Sequence, residues 1–352
     1  MRAESAGRVR AQMASKGATP TVSDVAERAG VSFATAARAL GGYGYVGAKS
    51  REKVEAAARE LGYRQNDVAR ALASGSTRTV GLVIGDIENP FFATVSRGLA
   101  DVLEGEGYTL LLANSDEDAA REARSIAALS SRVDGLVVAP AVSSGELALR
   151  RPDKPLVVFD RTVRGLDVDS VAVDNAAAAG LAVRHLLELG HRRIGVVCAP
   201  STISSTSARL RGYRAELKRA GVEPDDSLIE RGPFTRADAH AAALRLLSRD
   251  DRPDAVFATE NYMTEGVLLA ARELGLRIPD DVALVGFDDA EWMPLVDPPV
   301  TAVAQPVFEI GQEAARLLLA RLAGETAPPR KVRLSARLVV RESCGAGTRS
   351  RA

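Results

Sequence analysis

The chain has 352 residues, of which 46% are hydrophobic and 26% charged, with 46 Lys+Arg against 46 Asp+Glu. At about 150 residues per domain, this length predicts two or three domains. The composition is close to the globular average, which excludes wholesale disorder, a collagen-like repeat and a disulfide-rich miniprotein. Cys198 and Cys344 lie far apart in sequence and fit no metal-ligand spacing. We therefore expect no disulfide and no metal site.

No stretch approaches the roughly 20 apolar residues that span a bilayer. Residues 1–19 lack the apolar core of a secretory signal, so we expect a cytoplasmic protein with no membrane partner.

The net charge of zero conceals an asymmetry along the chain, because residues 1–80 carry 13 Lys+Arg and 7 Asp+Glu. A basic end indicates nucleic-acid binding, although a solvated charged face would give the same count.

The first predicted element is a disordered arm at 1–19, which has no apolar periodicity. Apolar residues recur at helical spacing over 22–29, Gly30 is typical of a helix end, and Ser32 can cap a second helix that runs to residue 40. A third helix is predicted after the cap candidate Ser50, ending at Gly62. Residues 20–65 are therefore predicted to form a three-helix unit in which the first two helices meet at a tight turn.

The next segment, 66–78, is a predicted hinge. Residues 66–73 could form about two helical turns, too few to be stable alone in water, and 74–77 have the composition of a linker. Beyond the hinge, strand patterns alternate with amphipathic helices. The strands are predicted at 79–84, 109–113, 135–139, 156–159, 193–198, 255–258 and 282–286, and the helices at 93–106, 118–130, 176–189, 207–220, 237–248 and 263–274.

This alternation predicts an α/β fold with parallel sheets covered by helices on both faces. Some 260 residues exceed a usual doubly wound sheet, so we expect two similar lobes with a ligand cleft between them at 79–341. Residues 342–352 are predicted to be a disordered tail.

One motif mimics a cofactor site. The sequence Gly-Tyr-Gly-Tyr-Val-Gly at 42–47 matches G-x-G-x-x-G, and Asp67 follows about 20 residues later. A dinucleotide site needs a preceding strand, whereas the residues before this motif are Ala-rich and helical. We interpret it as a flexible turn between two helices and expect no cofactor.

Motifs of common enzymes are absent from the sequence: it has no G-x-S-x-G elbow, Walker loop or H-E-x-x-H. Asp86, Asp160 and Asp288 follow predicted strands, where they could act as acid/base catalysts or accept hydrogen bonds from sugar hydroxyls. Because no nucleophile or metal set accompanies them, binding is the favoured interpretation.

The two-helix unit is the more specific signal. Its second helix would present Ser32, Phe33, Ala34, Thr35 and Arg38 to a major groove. Arg38 can donate two hydrogen bonds to guanine, whereas hydroxyl groups suit phosphates and the Phe33 ring suits a thymine methyl or a sugar. An ordinary helical hairpin remains the alternative.

Residues 21–40 (TVSDVAERAGVSFATAARAL) resemble the DNA-binding headpiece of the lac-repressor (LacI/GalR) family of bacterial transcriptional regulators. The resemblance covers nearly the whole chain from about 20 to 341. It continues through SREKVEAAARELGY at 50–63, NDVARALA at 66–73, NPFF at 89–92, VFDR at 158–161, VDN at 173–175, LGHRRI at 189–194 and VGFDD at 285–289.

The resemblance implies double-stranded, pseudo-palindromic operator DNA as a partner. The implied DNA-binding residues are Thr21, Ser32, Phe33, Ala34, Thr35, Arg38, Ser50, Tyr63, Asn66, Ala69 and Leu72. In this family the hinge helix enters the minor groove as a dimer, and a leucine matched here by Leu72 wedges into a central base step. The hinge would be disordered when free and would fold on DNA.

The resemblance also implies a periplasmic-binding-protein-like (class I) core with crossovers near residues 174, 302 and 327. Its effector, a sugar or related metabolite, would bind in the cleft. The implied effector-binding residues are Asp86, Asn89, Phe91, Phe92, Asp160, Arg161, Ser205, Arg209, Phe234, Asn261, Asp288 and Gln305. Among these, Phe91 and Phe92 could instead be core residues, and Arg161 a surface ion pair.

Two departures from the family pattern bear on specificity. Glu260-Asn261 stands where the family usually has Asn-Asp, which changes the hydrogen bonds offered to an effector. Ala34 and Ala37 leave direct readout dependent on Arg38 and on DNA shape.

We therefore predict a homodimer, with a tetramer as the alternative, that represses transcription from an operator under effector control. The rival hypotheses are a sugar-uptake binding protein and, less favoured, a sugar- or nucleoside-converting enzyme.

Overall fold

The computed structural model describes residues 20–41, 44–63, 75–142 and 154–346. They form two compact units, one up to Thr77 and one from Arg78 onward. The predicted arm at 1–19 and the hinge helix at 66–73 lie outside the described residues.

The described residues of the first unit form three helices, α1 (Val22–Ala29), α2 (Phe33–Gly41) and α3 (Ala48–Leu61). Thr21 caps α1 through a reciprocal pair of hydrogen bonds with Asp24, and Gly30 ends it in the left-handed conformation at φ 63°. The third helix begins at Ala48 with Gly47 as its cap. The prediction that Ser50 caps α3 is therefore wrong, because the chain already turns into the helix before that residue.

A small core holds these helices together. Val25, Ala36 and Val54 contribute one buried side chain from each helix, and the other buried residues of this core are alanines. Alanine buries little apolar area, so this core is thin. An ion pair between Arg28 and Glu60, with an N–O distance of 2.5 Å, joins the exposed surfaces of α1 and α3.

The first lobe of the second unit contains a fully parallel six-stranded sheet in the order β11-β5-β4-β3-β1-β2. Its strands are β1 (Thr79–Ile84), β2 (Thr109–Asn114), β3 (Gly135–Val138), β4 (Leu156–Phe159), β5 (Asp169–Val173) and β11 (Lys331–Leu334). The described helices of this lobe are α4 (Pro90–Gly105), α5 (Ala119–Ser130) and α10 (Val307–Leu322).

The second lobe contains a six-stranded sheet in the order β12-β10-β9-β8-β6-β7. Its strands are β6 (Ile194–Cys198), β7 (Ile229–Arg231), β8 (Ala255–Ala258), β9 (Ala283–Phe287), β10 (Thr301–Ala304) and β12 (Arg337–Val339). Its helices are α6 (Asn175–Glu188), α7 (Ser204–Arg219), α8 (Arg236–Leu247) and α9 (Asn261–Glu273). The edge strand β12 alone is antiparallel, and the predicted α/β fold class is confirmed.

The sequence prediction lacks β5, β7, β10, β11, β12 and helix α10. The missed strands have three to five residues, too few for a clear pattern. In β5 the pattern is further obscured by the buried Asp169, whose carboxylate accepts hydrogen bonds from Arg321 at 2.6 and 3.0 Å. In a sequence, a charged residue such as Asp169 suggests an exposed position, because its partner Arg321 is distant in the chain and cannot be recognised.

The chain passes between the lobes at residue 174, at 305–306 and at 335–336. The first crossing confirms the prediction, the second lies slightly after the predicted 302, and the third lies well after the predicted 327. The start of the predicted disordered tail is also wrong, because Ser343 and Cys344 are buried. Ser343 Oγ donates to the Leu284 carbonyl at 2.7 Å, so this segment is held against β9.

Helices α4 and α10 approach closely at two glycines. A Cβ at Gly98 would lie 2.2 Å from the Phe308 carbonyl oxygen, and one at Gly311 would lie 2.2 Å from that of Val95. Gly98→Ala is expected to lower the free energy of unfolding by about 1–3 kcal/mol, because α10 must move away. Urea unfolding measures this change.

The matched control is Gly105→Ala at the end of the same helix, where an added Cβ meets nothing within 4 Å. It removes a glycine of low helix propensity and should change stability by less than about 1 kcal/mol. Equal losses in the two variants would show that the close approach of α4 and α10 is not what requires glycine at position 98.

Within the described residues, no helix is both long enough and apolar enough to cross a membrane. Those same residues contain no group of three or more His, Cys, Asp or Glu side chains arranged to hold a metal ion.

Candidate DNA-reading face and effector cleft

The second helix of the first unit has one buried and one exposed side. Ala36 and Ala39 pack into the core, whereas Phe33, Ala34 and Arg38 are exposed. Phe33 is 59% exposed and lies next to Ala34 on this side of the helix. The exposed side therefore carries the predicted groove-facing residues.

Hydrogen bonds order the start of α2. Ser32 Oγ accepts from the Thr35 backbone N–H at 3.2 Å, and the two hydroxyl oxygens lie 2.9 Å apart. Arg38 Nε donates to the Ala34 carbonyl at 3.0 Å, which holds the base of the guanidinium against the helix. Its terminal nitrogens are the ones that donate to guanine O6 and N7 in a bidentate contact.

Three of the other predicted DNA-binding residues lie on or beside α1 and α3. Thr21 is exposed at the start of α1, Ser50 is half-buried in the first turn of α3, and Tyr63 is half-buried just after α3. Asn66, Ala69 and Leu72 lie outside the described residues. Helix α2, not a strand, precedes the Gly-rich sequence at 42–47, whereas a dinucleotide site needs a preceding strand.

In the second unit, the carboxyl ends of the parallel strands face a cleft between the lobes. A small cavity of about 30 Å³ lies deep in this cleft, with room for a water molecule or two. It is lined by Asn89, Phe91, Phe92, Glu117, Asp160, Arg161, Ser205, Thr206, Arg209, Phe234, Glu260, Asp288 and Gln305. Ten of the twelve predicted effector-binding residues are in this set.

Arg161 is a buried ion-pair centre and not a surface side chain. It donates two hydrogen bonds to the carboxylate of Glu117, one to Asp160 at 3.1 Å and one to the Pro140 carbonyl at 3.0 Å. Burial by itself would lower the pKa of Arg161, but the two carboxylates raise it above its usual value. Its guanidinium also lies 5.3 Å from the centre of the Phe234 ring, so it spans the two lobes.

Arg209, on α7, is the second buried cation. Its Nε donates to Asn175 Oδ1 at 2.7 Å, and its Nη1 donates to the Thr259 carbonyl at 2.6 Å. The guanidinium stacks 3.7 Å from the centre of the Phe287 ring. Burial lowers the pKa of Arg209, and the nearby Asp288 opposes this effect. These contacts hold the Arg209 guanidinium in place, and the carboxylates of the cavity lie near it.

Two of those carboxylates have left-handed backbones. Asp160 has φ 61° and Asp288 has φ 66°, in a region that non-glycine residues rarely adopt. Burial raises the pKa of Asp288 above its usual value, against the attraction of Arg209. Gln305 Nε2 donates to Asp288 Oδ1 at 2.5 Å, so the crossover at 305–306 is tied to the end of β9. Backbone strain of this kind is concentrated at functional sites.

The aromatic side chains of the first lobe form both core and cavity wall. Phe91 and Phe92 meet edge to face at 5.2 Å, and Phe92 contacts Phe159 in the same way at 6.2 Å. Both Phe91 and Phe92 are buried in the hydrophobic core while lining the cavity. The two hypotheses for these rings, core packing and ligand contact, are therefore compatible.

Asp86 and Asn261 do not line the deep cavity. Asp86 Oδ2 accepts a hydrogen bond of 2.7 Å from the Tyr262 hydroxyl, across the two lobes. Asn261 Oδ1 accepts from Trp292 Nε1 at 3.1 Å, and its Nδ2 donates to Glu265 at 3.0 Å. In this conformation these two predicted residues serve the contact between the lobes and the packing of α9.

Three cavity residues were not predicted: Glu117, Thr206 and Glu260. Glu117 has a left-handed backbone at φ 57°, which directs it towards Arg161, and no motif signals such a turn. Glu260 was noticed only as a departure from the family pattern. The structure shows that Glu260, and not its neighbour Asn261, faces the cavity.

The bond between Asp86 and Tyr262 gives a prediction about closure. Tyr262→Phe removes only the donated hydroxyl and is expected to cost the closed state about 0.5–1.5 kcal/mol. A population shift towards open lobes should appear as a larger radius of gyration in small-angle scattering. Tyr45→Phe, which alters an exposed tyrosine of the first unit, is the control; identical scattering from both variants would show that this bond does not hold the lobes together.

Comparisons with known proteins agree with this arrangement. A family described as "Bacterial regulatory proteins, lacI family" matches residues 21–66, and a "Periplasmic binding protein-like domain" matches residues 183–344. The HTH-type transcriptional repressor CytR of Escherichia coli K12 is 33% identical over 326 residues, covering 92% of this chain and 96% of CytR.

Two solved structures are also similar. A complex of the transcriptional regulator CelR with cellobiose has 35% identity and a TM-score of 0.71, covering 92% of this chain and 99% of that one. The lac repressor dimer bound to operator and the anti-inducer ONPF has 26% identity and a TM-score of 0.82, covering 93% of this chain and 99% of that one.

The fold and the two sites thus define a DNA-binding regulator with a ligand-binding core. The chain belongs to the LacI family of bacterial transcriptional regulators. It is an allosterically controlled, DNA-binding transcription regulator, and the predicted family, fold and function are confirmed. Its relatives are transcription regulators, not enzymes.

Proposed function

We propose that this regulator is a cytoplasmic repressor that binds a pseudo-palindromic operator as a homodimer, and that a sugar or related polyhydroxylated metabolite in the cleft controls this binding. The observation that carries the proposal is the assembly of polar residues around Arg209 and Asp288 beside the Phe91 and Phe92 rings. Hydrogen-bonding groups beside aromatic faces suit a ring with several hydroxyls.

The effector must bind to a more open form. A cavity of about 30 Å³ is far smaller than a monosaccharide, whereas the adjoining mouth has about 640 Å³. The two lobes are joined by three crossings, which can act as a hinge. A ligand that contacts both lobes would shift the population between open and closed forms, and this shift is the means of allosteric control.

Relatives support both parts of the proposal. The lac repressor is a dimer on its operator in the matched structure, and CelR is in complex with cellobiose. Paired recognition helices related by a two-fold axis require a pseudo-palindromic site. We therefore assign operator contact to the exposed side of α2 and effector contact to the deep cavity.

The test is to select the duplexes that bind to the full-length protein from a random pool at near-physiological salt, and then to sequence them. Enrichment of a palindrome supports an operator-binding dimer, and release of that duplex by a sugar supports control through the cleft. Salt must be kept fixed because phosphate contacts make affinity strongly salt-dependent. Only non-specific binding, with and without sugars, would contradict the proposal.

A further inference from the structure

The cleft carries more negative than positive charge. Four carboxylates and two guanidinium groups line the deep cavity: Glu117, Asp160, Glu260, Asp288, Arg161 and Arg209. The mouth adds the carboxylates of Asp86, Glu88 and Asp116, and the described residues that line the mouth include no cationic side chain. Arg161 is already shared by two carboxylates, Glu117 and Asp160.

Glu260 is the carboxylate whose bonding is incomplete. It is 6% exposed and lies at the start of α9, where its Oε1 accepts from the Met263 N–H at 2.9 Å. Among the described residues, none donates a hydrogen bond to its other oxygen, Oε2, although that atom is buried. A buried polar atom without a donor costs about 1–3 kcal/mol, so this side chain is suited to a donor from outside the chain.

Two opposing influences act on the charge of Glu260. Burial and the nearby Asp288 raise its pKa to about 8, while the N–H groups of Tyr262 and Met263 and the cation of Arg209 lower it. The start of a helix also favours an ionised carboxylate. The charged form therefore has its backbone donors in place and lacks a positive charge beside Oε2.

We propose that the effector carries a protonated amine, as in an amino sugar, and that this amine binds between Glu260 and Asp288. The inference rests on the proposed function, because it takes the cleft to be the effector site. Gln305 Oε1, which also has no donor among the described residues, is a third acceptor at the same place.

An ammonium group suits the site between Glu260 and Asp288 better than a hydroxyl group does. A hydroxyl donates one hydrogen bond and brings no charge, whereas an ammonium donates three and balances the carboxylates. An anionic ligand such as a sugar phosphate would add to the negative charge of the cavity and its mouth. We therefore expect amino sugars to bind most tightly, neutral sugars less tightly and anionic sugars most weakly.

The experiment compares sugars that differ only at one substituent. D-glucosamine, D-galactosamine and D-mannosamine are paired with glucose, galactose and mannose, and glucose 6-phosphate is the anionic probe. Binding to the full-length protein is measured by calorimetry at pH 7. We expect at least one amine to bind about tenfold or more tightly than its neutral partner, a difference of about 1.4 kcal/mol, and glucose 6-phosphate to bind more weakly than glucose.

Glu260→Gln is the matching variant, because it keeps the shape and one acceptor oxygen but removes the charge. The preference for the amine should fall to within about threefold in this variant, whereas Glu223→Gln, which changes an exposed carboxylate of the same lobe, should retain it in full. If Glu260→Gln fails to fold, Asp288→Asn takes its place, since both carboxylates face the proposed amine.

Proton release gives a second readout. Burial and the nearby Asp288 raise the pKa of Glu260 to about 8, and a cation beside Oε2 would lower it again, so binding of an amine favours loss of a proton from this carboxyl. Calorimetry in two buffers of different ionisation heat should therefore detect a net release of protons when the amine binds. The release should be lost in Glu260→Gln, because glutamine has no carboxyl group to release a proton.

The proposal is overturned if every neutral sugar binds as well as its amine, or if no amine binds. It is also overturned if the preference survives in Glu260→Gln. Failure here is distinct from failure of the proposed function, which is judged by whether the selected duplex pool contains a palindrome. A palindrome without an amine preference would remove only the assignment of the effector class.

Discussion

Arg38→Ala is expected to weaken binding to the selected operator by about 1–3 kcal/mol, which is about 5–150-fold in Kd at fixed salt. The side chain is exposed on α2, held at its base by the Ala34 carbonyl, and no other exposed residue of that helix offers two parallel donors. Selection with the variant should also show a relaxed base preference at one position of each half-site.

The control for this prediction removes a positive charge elsewhere in the first unit. Arg59→Ala alters an exposed cation near the end of α3 and should reduce affinity for specific and random duplexes alike. If Arg38→Ala lowers affinity for all duplexes by a similar factor and leaves the selected sequence unchanged, Arg38 contacts phosphate and does not read a base.

Asp288→Asn is expected to abolish release of the operator by the effector while operator binding without effector is retained. Truncating the charge of a buried, hydrogen-bonded group costs about 2 kcal/mol or more in binding, which is about 30-fold or more in Kd. Asparagine suits this test because, among non-glycine residues, it readily adopts the left-handed backbone that Asp288 has at φ 66°.

The measurement is a titration of the protein–operator complex with the sugar that gives the largest thermal shift in the unaltered protein. Asp289→Asn is the neighbouring control, because its carboxylate pairs with Arg341 at 2.6 and 3.0 Å and does not line the cavity. A full response in Asp288→Asn would place the effector outside the deep cavity.

Local patterns were enough to locate most of the helices and the longer strands. Gly30 ends α1 where the sequence predicts a helix end, and the strands 79–84, 156–159 and 255–258 have the predicted bounds. Cap residues and runs of β-branched residues act through their immediate neighbours, so they can be read from sequence. The start of α3 was misplaced because Gly47 offers no side-chain cap to recognise.

Sequence alone determined the family and the two-unit plan, because both depend on motifs and on patterns of residue types along the chain, and the resemblance to that family implied ten of the residues that line the cavity. Only the tertiary structure decided that Glu260 faces the cavity while Asn261 bonds to Trp292. It also decided that Tyr262 reaches Asp86 across the lobes. These contacts join residues far apart in the chain, and a shift of one residue at a helix start turns the side-chain direction by about 100°. Such geometry is set by packing between elements and not by the local pattern.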